Sequence, residues 1–445
     1  MKRLSPARSL LLRGALCLAL AFALAAAPLG AGVGIAPAAA QQAEPKAKKK
    51  KPAAKEPAQS AAKPQAQPQP KPAESEPAGA AASRAPATFE TEARNAYLID
   101  YDTGTVLYEK AADQRVGPAS MSKMMTLYMT FEQIKAGRLS MEDALPISDA
   151  TWKKWNNSGS TMFIPARSRV KVEDLIRGIA TQSGNDACVV IAEGLMGSEE
   201  AFAVAMTRRA KELGLTDSNF TNATGWPDPD HYTTARDLAI LGRRLIQDFP
   251  EFYKVFAERE FTYNNIRQGN RNPLLYKDAG VDGIKTGHTE EAGYGLTASA
   301  VRNGRRLILV VHGLKSMKHR SAESERLLDW GYREFNNYAL FKKTDKVGDA
   351  EVWLGEKLRV GMRPKDDAIV TLSRATRKEL KVQVVTMEPI PAPVTAGQEI
   401  GKLVIAAPGM EPREVALVAD AGVEKLGAFA KLGATLGYLM LGQPK

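Results

Sequence analysis

Apolar residues dominate the stretch from Met124 to Ile134, which contains no glycine or proline and closes at Gly137. That length and spacing predict a helix. Its apolar positions cover most faces, so the helix is expected to be buried rather than laid on the surface. Pro118, just upstream, suits a helix start, where a missing N–H costs least. Before it, Ala96–Tyr101 and Thr105–Tyr108 read as two strands around the turn Asp102-Thr103-Gly104. After it, Val172–Ile179, Asp186–Leu195, Glu199–Leu213 and Asp237–Ile246 carry helical spacing. The strand pattern returns at Glu260–Tyr263, Gly295–Val301 and Arg305–Val311, and Asn303-Gly304 between the last two is a strong hairpin signal. Ser321–Tyr332 reads as a further helix. Strands, then helices, then strands again predict an α+β fold with an antiparallel sheet.

Beyond about residue 345 the pattern changes. Short apolar runs (Ala350–Leu354, Ala368–Leu372, Val382–Val385, Lys402–Ile405) alternate with Gly, Pro, Asp and Lys, as in a small all-β module. It carries no cluster of reactive side chains, so a spacing or docking role is assigned to it. Residues 88–343 are taken as the main domain, 344–420 as the β-rich one and 421–445 as a separate segment. In Gly422–Gly442, Leu426, Phe429, Leu432, Leu436 and Leu439 with Lys425 and Lys431 fit an amphipathic helix on a membrane surface. Gly427, Gly433 and Gly437 weaken its helix propensity.

The first 40 residues stand apart. Lys2, Arg3, Arg8 and Arg13 precede an apolar core, Leu16–Ala27, and Ala38-Ala39-Ala40 offers a cleavage site, the pattern of a secretory signal peptide. A retained anchor is the alternative, but the strictly apolar core is short for a span. Leu16 before Cys17 does not fit a lipoprotein signal. Residues 41–87 are nearly all Ala, Pro, Lys, Gln and Glu, a disordered linker with no apolar periodicity. Its lysines supply part of the net charge of +11. Attraction to anionic lipid head groups or an anionic wall polymer is one reading of them; a solvated spacer is the other. Nucleic acid is not expected of an exported chain without a binding motif. Cleavage would leave Cys188 as the only cysteine, so no internal disulfide is expected. A chain of 445 residues that is 44% hydrophobic has the material for a large core without one.

Three short motifs carry candidate chemistry. Ser120-Met121-Ser122-Lys123 opens the buried helix. Residues three apart share a helix face, so Ser120 Oγ and the Lys123 amine can meet, and a neighbouring lysine can activate a serine without histidine. A capping serine followed by a surface lysine is the plain alternative. Gln182-Ser183-Gly184-Asn185 joins two helices and is expected on an exposed loop, its hydroxyl able to pass protons and its amide to bind a peptide carbonyl. Alternatively it caps the helix beginning at Asp186. Asp282–Thr289 reads as a strand presenting an exposed Lys285 and Thr286, with Gly287 letting a ligand approach the backbone. S-x-x-K, S-x-N and K-T-G in this order form the set known from class A β-lactamases and penicillin-binding proteins, with S-D-N as the middle motif.

From Ala96 onward the chain resembles the low-molecular-mass penicillin-binding proteins that act as D-alanyl-D-alanine carboxypeptidases. The matching stretches are Pro118–Thr126, Leu175–Ile179, Gln182–Cys188, Val281–Thr289 and Ala322–Leu328, and Ser-Gly-Asn is the spelling this family uses. The resemblance implies a β-lactamase/transpeptidase-like α+β domain, a β-rich second domain, a C-terminal amphipathic anchor and no cofactor. It implies Ser120 as acyl-ester nucleophile, Lys123 as general base and Ser183 as proton relay. Asn185, Lys285, Thr286, Gly287, His288 and Arg320 would bind substrate, and the Ser120 and His288 N–H groups would hold the oxyanion. The implied partners are a peptidoglycan stem peptide and, as acylating inhibitors, β-lactams. A β-lactamase or endopeptidase on the same scaffold and an idle penicillin-binding module are the rival readings; the complete set of side chains argues against the idle one.

Other chemistries fit less well. No G-x-S-x-G elbow supports a Ser-His-Asp hydrolase. His231, His288, His312 and His319 show no H-E-x-x-H spacing, so no metal is expected. Gly293–Ala298 matches G-x-G-x-x-A, but a hairpin follows where a dinucleotide site needs a helix. Cys188 reads as a packed small residue. Trp152, Trp155, Trp226 and Trp330 read as packing residues, with Trp152–Trp155 a candidate border of the cleft.

Overall fold

The computed structural model describes residues 88–386, 389–428 and 430. The expected leader (1–40), linker (41–87) and most of the segment from 421 on lie outside the described residues. Strands β1 (Asn95–Asp100), β2 (Val106–Lys110), β3 (Val281–Thr289), β4 (Gly293–Arg302) and β5 (Arg305–Leu314) form an antiparallel five-stranded sheet in the order β2-β1-β5-β4-β3. Asn303 and Gly304 turn β4 into β5 with φ of 51° and 76°, and two positive φ values are what a type I′ hairpin requires.

Alternation along the strands divides two cores. On β5, Leu307, Leu309 and Val311 point one way and Ile308 and Val310 the other; on β1, Leu98 opposes Tyr97 and Ile99. Because both faces are covered, the strands read as continuous apolar runs. Between β2 and β3 come α1 (Lys123–Lys135), α2 (Asp149–Trp155), α3 (Val172–Arg177), α4 (Asn185–Met196), α5 (Glu199–Glu212) and α6 (Ala235–Asp248). They supply most of the larger core, while α7 (Met317–Glu334) covers the opposite face with Leu327, Leu328 and Trp330. Every residue of α1 from Lys123 to Phe131 is buried, as its apolar sequence predicts.

Two local features depart from the hydrophobic pattern. The α2 helix has too few apolar positions to show helical spacing; Ser148 caps it by accepting the Thr151 N–H at 3.1 Å. The predicted helix Val172–Ile179 is split, α3 giving way to a π-turn over Gly178–Gln182 that ends on Ser183.

From Phe335 the chain builds a second, all-β unit. Strands β6 (Phe335–Phe341), β7 (Gly348–Trp353), β8 (Arg359–Pro364), β9 (Ala368–Ser373), β10 (Lys381–Thr386), β11 (Glu399–Ala406) and β12 (Arg413–Ala419) cover all four predicted runs. The β6 strand pairs with β9, and the other five follow the order β10-β11-β12-β8-β7, with Ile390–Pro391 beside β7. The two units are tied by Asn337 Nδ2 donating to Asp100 Oδ1 at 3.2 Å and Arg305 Nη1 donating to the Phe335 carbonyl at 2.6 Å.

Candidate active site

Ser120 lies in the single 3₁₀ turn Ala119–Ser122 that leads into α1. Ala119 has φ of +48°, a left-handed conformation that an alanine adopts only when its surroundings impose it. Lys123 is the first residue of α1 and fully buried. Its Nζ stands 3.0 Å from Ser120 Oγ and donates to Asn185 Oδ1 at 2.8 Å and to the Thr224 carbonyl. Two of these partners are oxygens that only accept. A neutral amine therefore gives them its two N–H bonds and keeps its lone pair for the Ser120 hydroxyl. Burial pushes the Lys123 amine down to about 8, with Cys188 opposing the shift and Arg271 adding to it. Cys188 is fully buried and its thiol is pushed up to about 12 by desolvation, the behaviour of a packed, unreactive sulfur.

Ser122, the other serine of the motif, is buried and committed, donating to the Ala119 carbonyl at 3.0 Å and lying 2.7 Å from His231 Nε2. Ser120 is half-buried and keeps an open side.

The Ser-Gly-Asn segment is not an exposed loop: Ser183 and Asn185 are only 1% and 5% accessible. Nor do their side chains cap α4, whose N-cap is Gly184. Instead Asp186 draws a loop over the segment, accepting from the Met162 N–H at 3.0 Å and the Ile164 N–H at 3.3 Å, while the Asn185 N–H donates to the Ser160 carbonyl at 2.7 Å. A Cβ on Gly184 would stand 2.8 Å from Asp186 Oδ1 and 3.2 Å from the Met162 nitrogen, which is the physical reason for glycine between Ser183 and Asn185. Ser183 sits at φ +66°, and its buried hydroxyl has no hydrogen-bond partner among the described residues.

Strand β3 packs against the Ser120 turn. A Cβ on Gly287 would lie 2.8 Å from the Pro118 carbonyl and 3.3 Å from Ala119 Cβ. Lys285 and Thr286, expected to be exposed, are buried, and among the described residues Lys285 Nζ reaches only the Thr286 carbonyl, at 3.4 Å. Burial, with Lys123 and Arg271 adding to it, holds the Lys285 amine well below its usual range. His288 is exposed and stacks on Tyr294 at 3.8 Å. Arg320 lies 5.7 Å over the Tyr294 ring and, among the described residues, makes only long contacts to the Gly295 and Arg271 carbonyls (3.5 and 3.4 Å) and leaves Nε unpaired. Desolvation pushes its guanidinium down to about 10. Under-paired cations of this kind make a wall suited to an anion.

The direct contacts thus join Ser120, Lys123 and Asn185, while Lys285 and Arg320 form the cationic side, with Thr286 beside Lys285. Two contributors were not read from the sequence. Arg271, whose guanidinium donates to Ser160 Oγ, acts electrostatically on both lysines. The Thr224 carbonyl is held by a turn in which Asn222 Oδ1 accepts the N–H groups of Thr224, Gly225 and Trp226 at 3.1, 2.7 and 3.0 Å. Asn222, a turn former four residues before Trp226, was the available signal. Trp155 is buried with its ring 5.1 Å from that of Trp226, as a packing residue. Among the described residues no group of His, Cys, Asp and Glu is arranged to hold a metal.

A family model described as D-alanyl-D-alanine carboxypeptidase matches residues 80–316, and one described as the penicillin-binding protein 5 C-terminal domain matches residues 335–425. Escherichia coli D-alanyl-D-alanine carboxypeptidase DacC is 38% identical over 357 residues, 79% of this chain and 89% of the relative. Penicillin-binding protein 5 from Haemophilus influenzae, solved by crystallography, superposes with a TM-score of 0.71 at 37% identity, covering 76% of this chain and 99% of that one. A Listeria monocytogenes penicillin-binding protein in its ampicillin-bound form gives 0.50 at 28% identity, over 55% of this chain and 99% of that one.

Proposed function

We propose a function from one premise: the chain belongs to the D-alanyl-D-alanine carboxypeptidase family. It is a serine-type carboxypeptidase that removes the terminal D-alanine from peptidoglycan stem pentapeptides through an acyl-enzyme on Ser120, and β-lactams acylate the same hydroxyl. The observation that carries this reading is the buried Lys123 amine, 3.0 Å from Ser120 Oγ and pushed down to about 8 by desolvation. A base whose pKa lies near working pH is what a serine nucleophile without histidine requires.

Ser120 Oγ attacks the carbonyl between the two D-alanines, its proton passes to Lys123 Nζ, and the oxyanion is held by the Ser120 and His288 N–H groups. Asn185 holds the peptide amide as well as Lys123. Ser183 carries the proton onward to the leaving D-alanine; its unpaired, buried hydroxyl supports that role. Lys285, Thr286 and Arg320 receive the free terminal carboxylate, with Gly287 letting the Ser120 turn lie against β3. Water then cleaves the ester. Incubating the protein with a pentapeptide ending in D-Ala-D-Ala is expected to release free D-alanine. No release, despite stable labelling by a fluorescent penicillin, would overturn the reading, and rapid turnover of the penicillin would favour a β-lactamase instead.

The leader pattern supports export, with the mature enzyme in the periplasm. The lysine-rich linker and residues 422–442 support peripheral contact with an anionic membrane face. The residues from 344 to 420 hold the active site away from that surface. No described helix is long and apolar enough to cross a membrane. Deleting residues 422–445 is expected to lower the membrane-associated fraction; an unchanged fraction would remove the anchor from the account.

A further inference from the structure

Two histidines that fit no metal or triad pattern are buried and aimed at the turn that carries Ser120. His231 Nδ1 accepts the Thr221 N–H at 3.1 Å, so the ring proton sits on Nε2. That nitrogen lies 2.7 Å from Ser122 Oγ and donates to it, and Ser122 donates in turn to the Ala119 carbonyl at 3.0 Å. From strand β5, His312 Nε2 donates to the Gly117 carbonyl at 3.0 Å. The turn is therefore tethered on both sides of Pro118 by rings from separate parts of the chain.

What the first tether grips is specific. The Ala119 carbonyl and the Ser120 N–H belong to one planar peptide unit, so fixing the direction of the oxygen fixes that of the N–H. Gly225 packs against the same oxygen beside Ser122: a Cβ there would come within 1.9 Å of the oxygen and 2.9 Å of Ser122 Oγ. The positive φ of Ala119 shows that this plane is held against the residue's own preference. Desolvation pushes both imidazoles down to about 4, so the donor and acceptor assignments hold through neutral pH.

We propose that His231 and Ser122 are positioning residues for the oxyanion site: the His231–Ser122–Ala119 hydrogen-bond series turns the Ala119–Ser120 peptide plane so that the Ser120 N–H faces the developing oxyanion. The proposal rests on Ser120 being the nucleophile. It gives Ser122 a duty distinct from nucleophilic attack, and it gives His231 an effect on catalysis with no contact to substrate.

The test is a time course of acylation by a fluorescent penicillin that separates non-covalent affinity from the acylation rate constant, with the adduct located by mass spectrometry. Ser122→Ala should slow acylation by about 10- to 100-fold, in the range of a misplaced oxyanion donor, while affinity changes by less than about threefold because the ground state does not use the N–H. Ser122→Thr keeps the hydroxyl and should restore most of the rate. Adding His231→Leu to Ser122→Ala should cause no further loss, because the histidine acts through the serine. A wild-type rate in Ser122→Ala, or a further large loss in the double variant, overturns the proposal. If Ser122→Ala shows no cooperative urea transition, His231→Leu and His231→Gln decide the matter. The glutamine amide can still donate to Ser122 and accept from Thr221, so it should acylate faster than the leucine variant; equal rates overturn the proposal. Failure of the wild-type chain to acylate at Ser120 would instead remove the nucleophile reading, and this inference with it.

Discussion

The unit around the five-stranded sheet buries Lys123, Lys285, Arg320, Asp186, His231 and His312, whereas the unit from Phe335 on buries only Thr371 and Ser373 among its described polar side chains. The difference shows where stability is given up. Moving a lysine from its ordinary 10.5 to about 8 corresponds to about 3 kcal/mol of penalty on the charged form. The first unit tolerates this because Met124, Met125, Leu127 and Phe131 on the same helix are wholly buried, at roughly 1.5–3 kcal/mol each. The second unit carries no such penalty. No charged side chain is buried among its described residues, so substitutions there should act on stability alone, and substitutions around Ser120 on chemistry first.

The sharpest separation is expected from Ser120→Ala. Penicillin labelling and D-alanine release should both vanish while the urea midpoint stays unchanged; retained labelling would mean that another serine is the nucleophile. Lys123→Met should also abolish acylation, with stability shifting by no more than about 1 kcal/mol, since relief from desolvation offsets the lost hydrogen bonds to Asn185 and Thr224. Wild-type Lys123 binds its proton less tightly than an unfolded lysine, so stability should rise as pH climbs from about 8 towards 10.5. The methionine variant should lose that part of the slope, which urea titrations at several pH values would detect. Gly225→Ala should breach the division, because its Cβ meets the Ala119 carbonyl and its φ is +77°. Acylation should fall by about 100-fold and stability by about 2 kcal/mol or more. In the other unit, Leu403→Ala in a fully buried position should cost about 2–5 kcal/mol in a denaturation scan while the acylation rate constant moves less than about twofold. A large catalytic loss there would show that the second unit shapes the active site.

The sequence made much of this division legible. The apolar stretch behind Lys123 announced a buried helix, Asn303-Gly304 announced the β4–β5 hairpin, and three-residue spacing put Ser120 and Lys123 on one face. What escaped notice depends on contacts distant in sequence. Ser183 and Asn185 looked exposed because a Ser-Gly-Asn joint between helices is locally a loop; they are buried only because Asp186 draws the Met162–Ile164 segment over them. Lys285 and Thr286 looked exposed because alternation on a strand does not reveal that β3 packs against Pro118 and Ala119. The Thr224 carbonyl and Arg271 carry no motif at all. The π-turn before Ser183 is a backbone irregularity within a stretch of helical spacing.

Acylation at Ser120 depends on Lys123, whose buried amine is lowered to about 8, acting as the base. The most direct measurement is the second-order rate of Ser120 acylation by a penicillin between about pH 6 and 9, in the free enzyme. Below its pKa Lys123 is protonated and cannot accept the Ser120 proton, so the rate should rise close to tenfold per pH unit and level off near pH 8. A rate that is flat over this range, or that is still climbing tenfold per unit at pH 9, would contradict it.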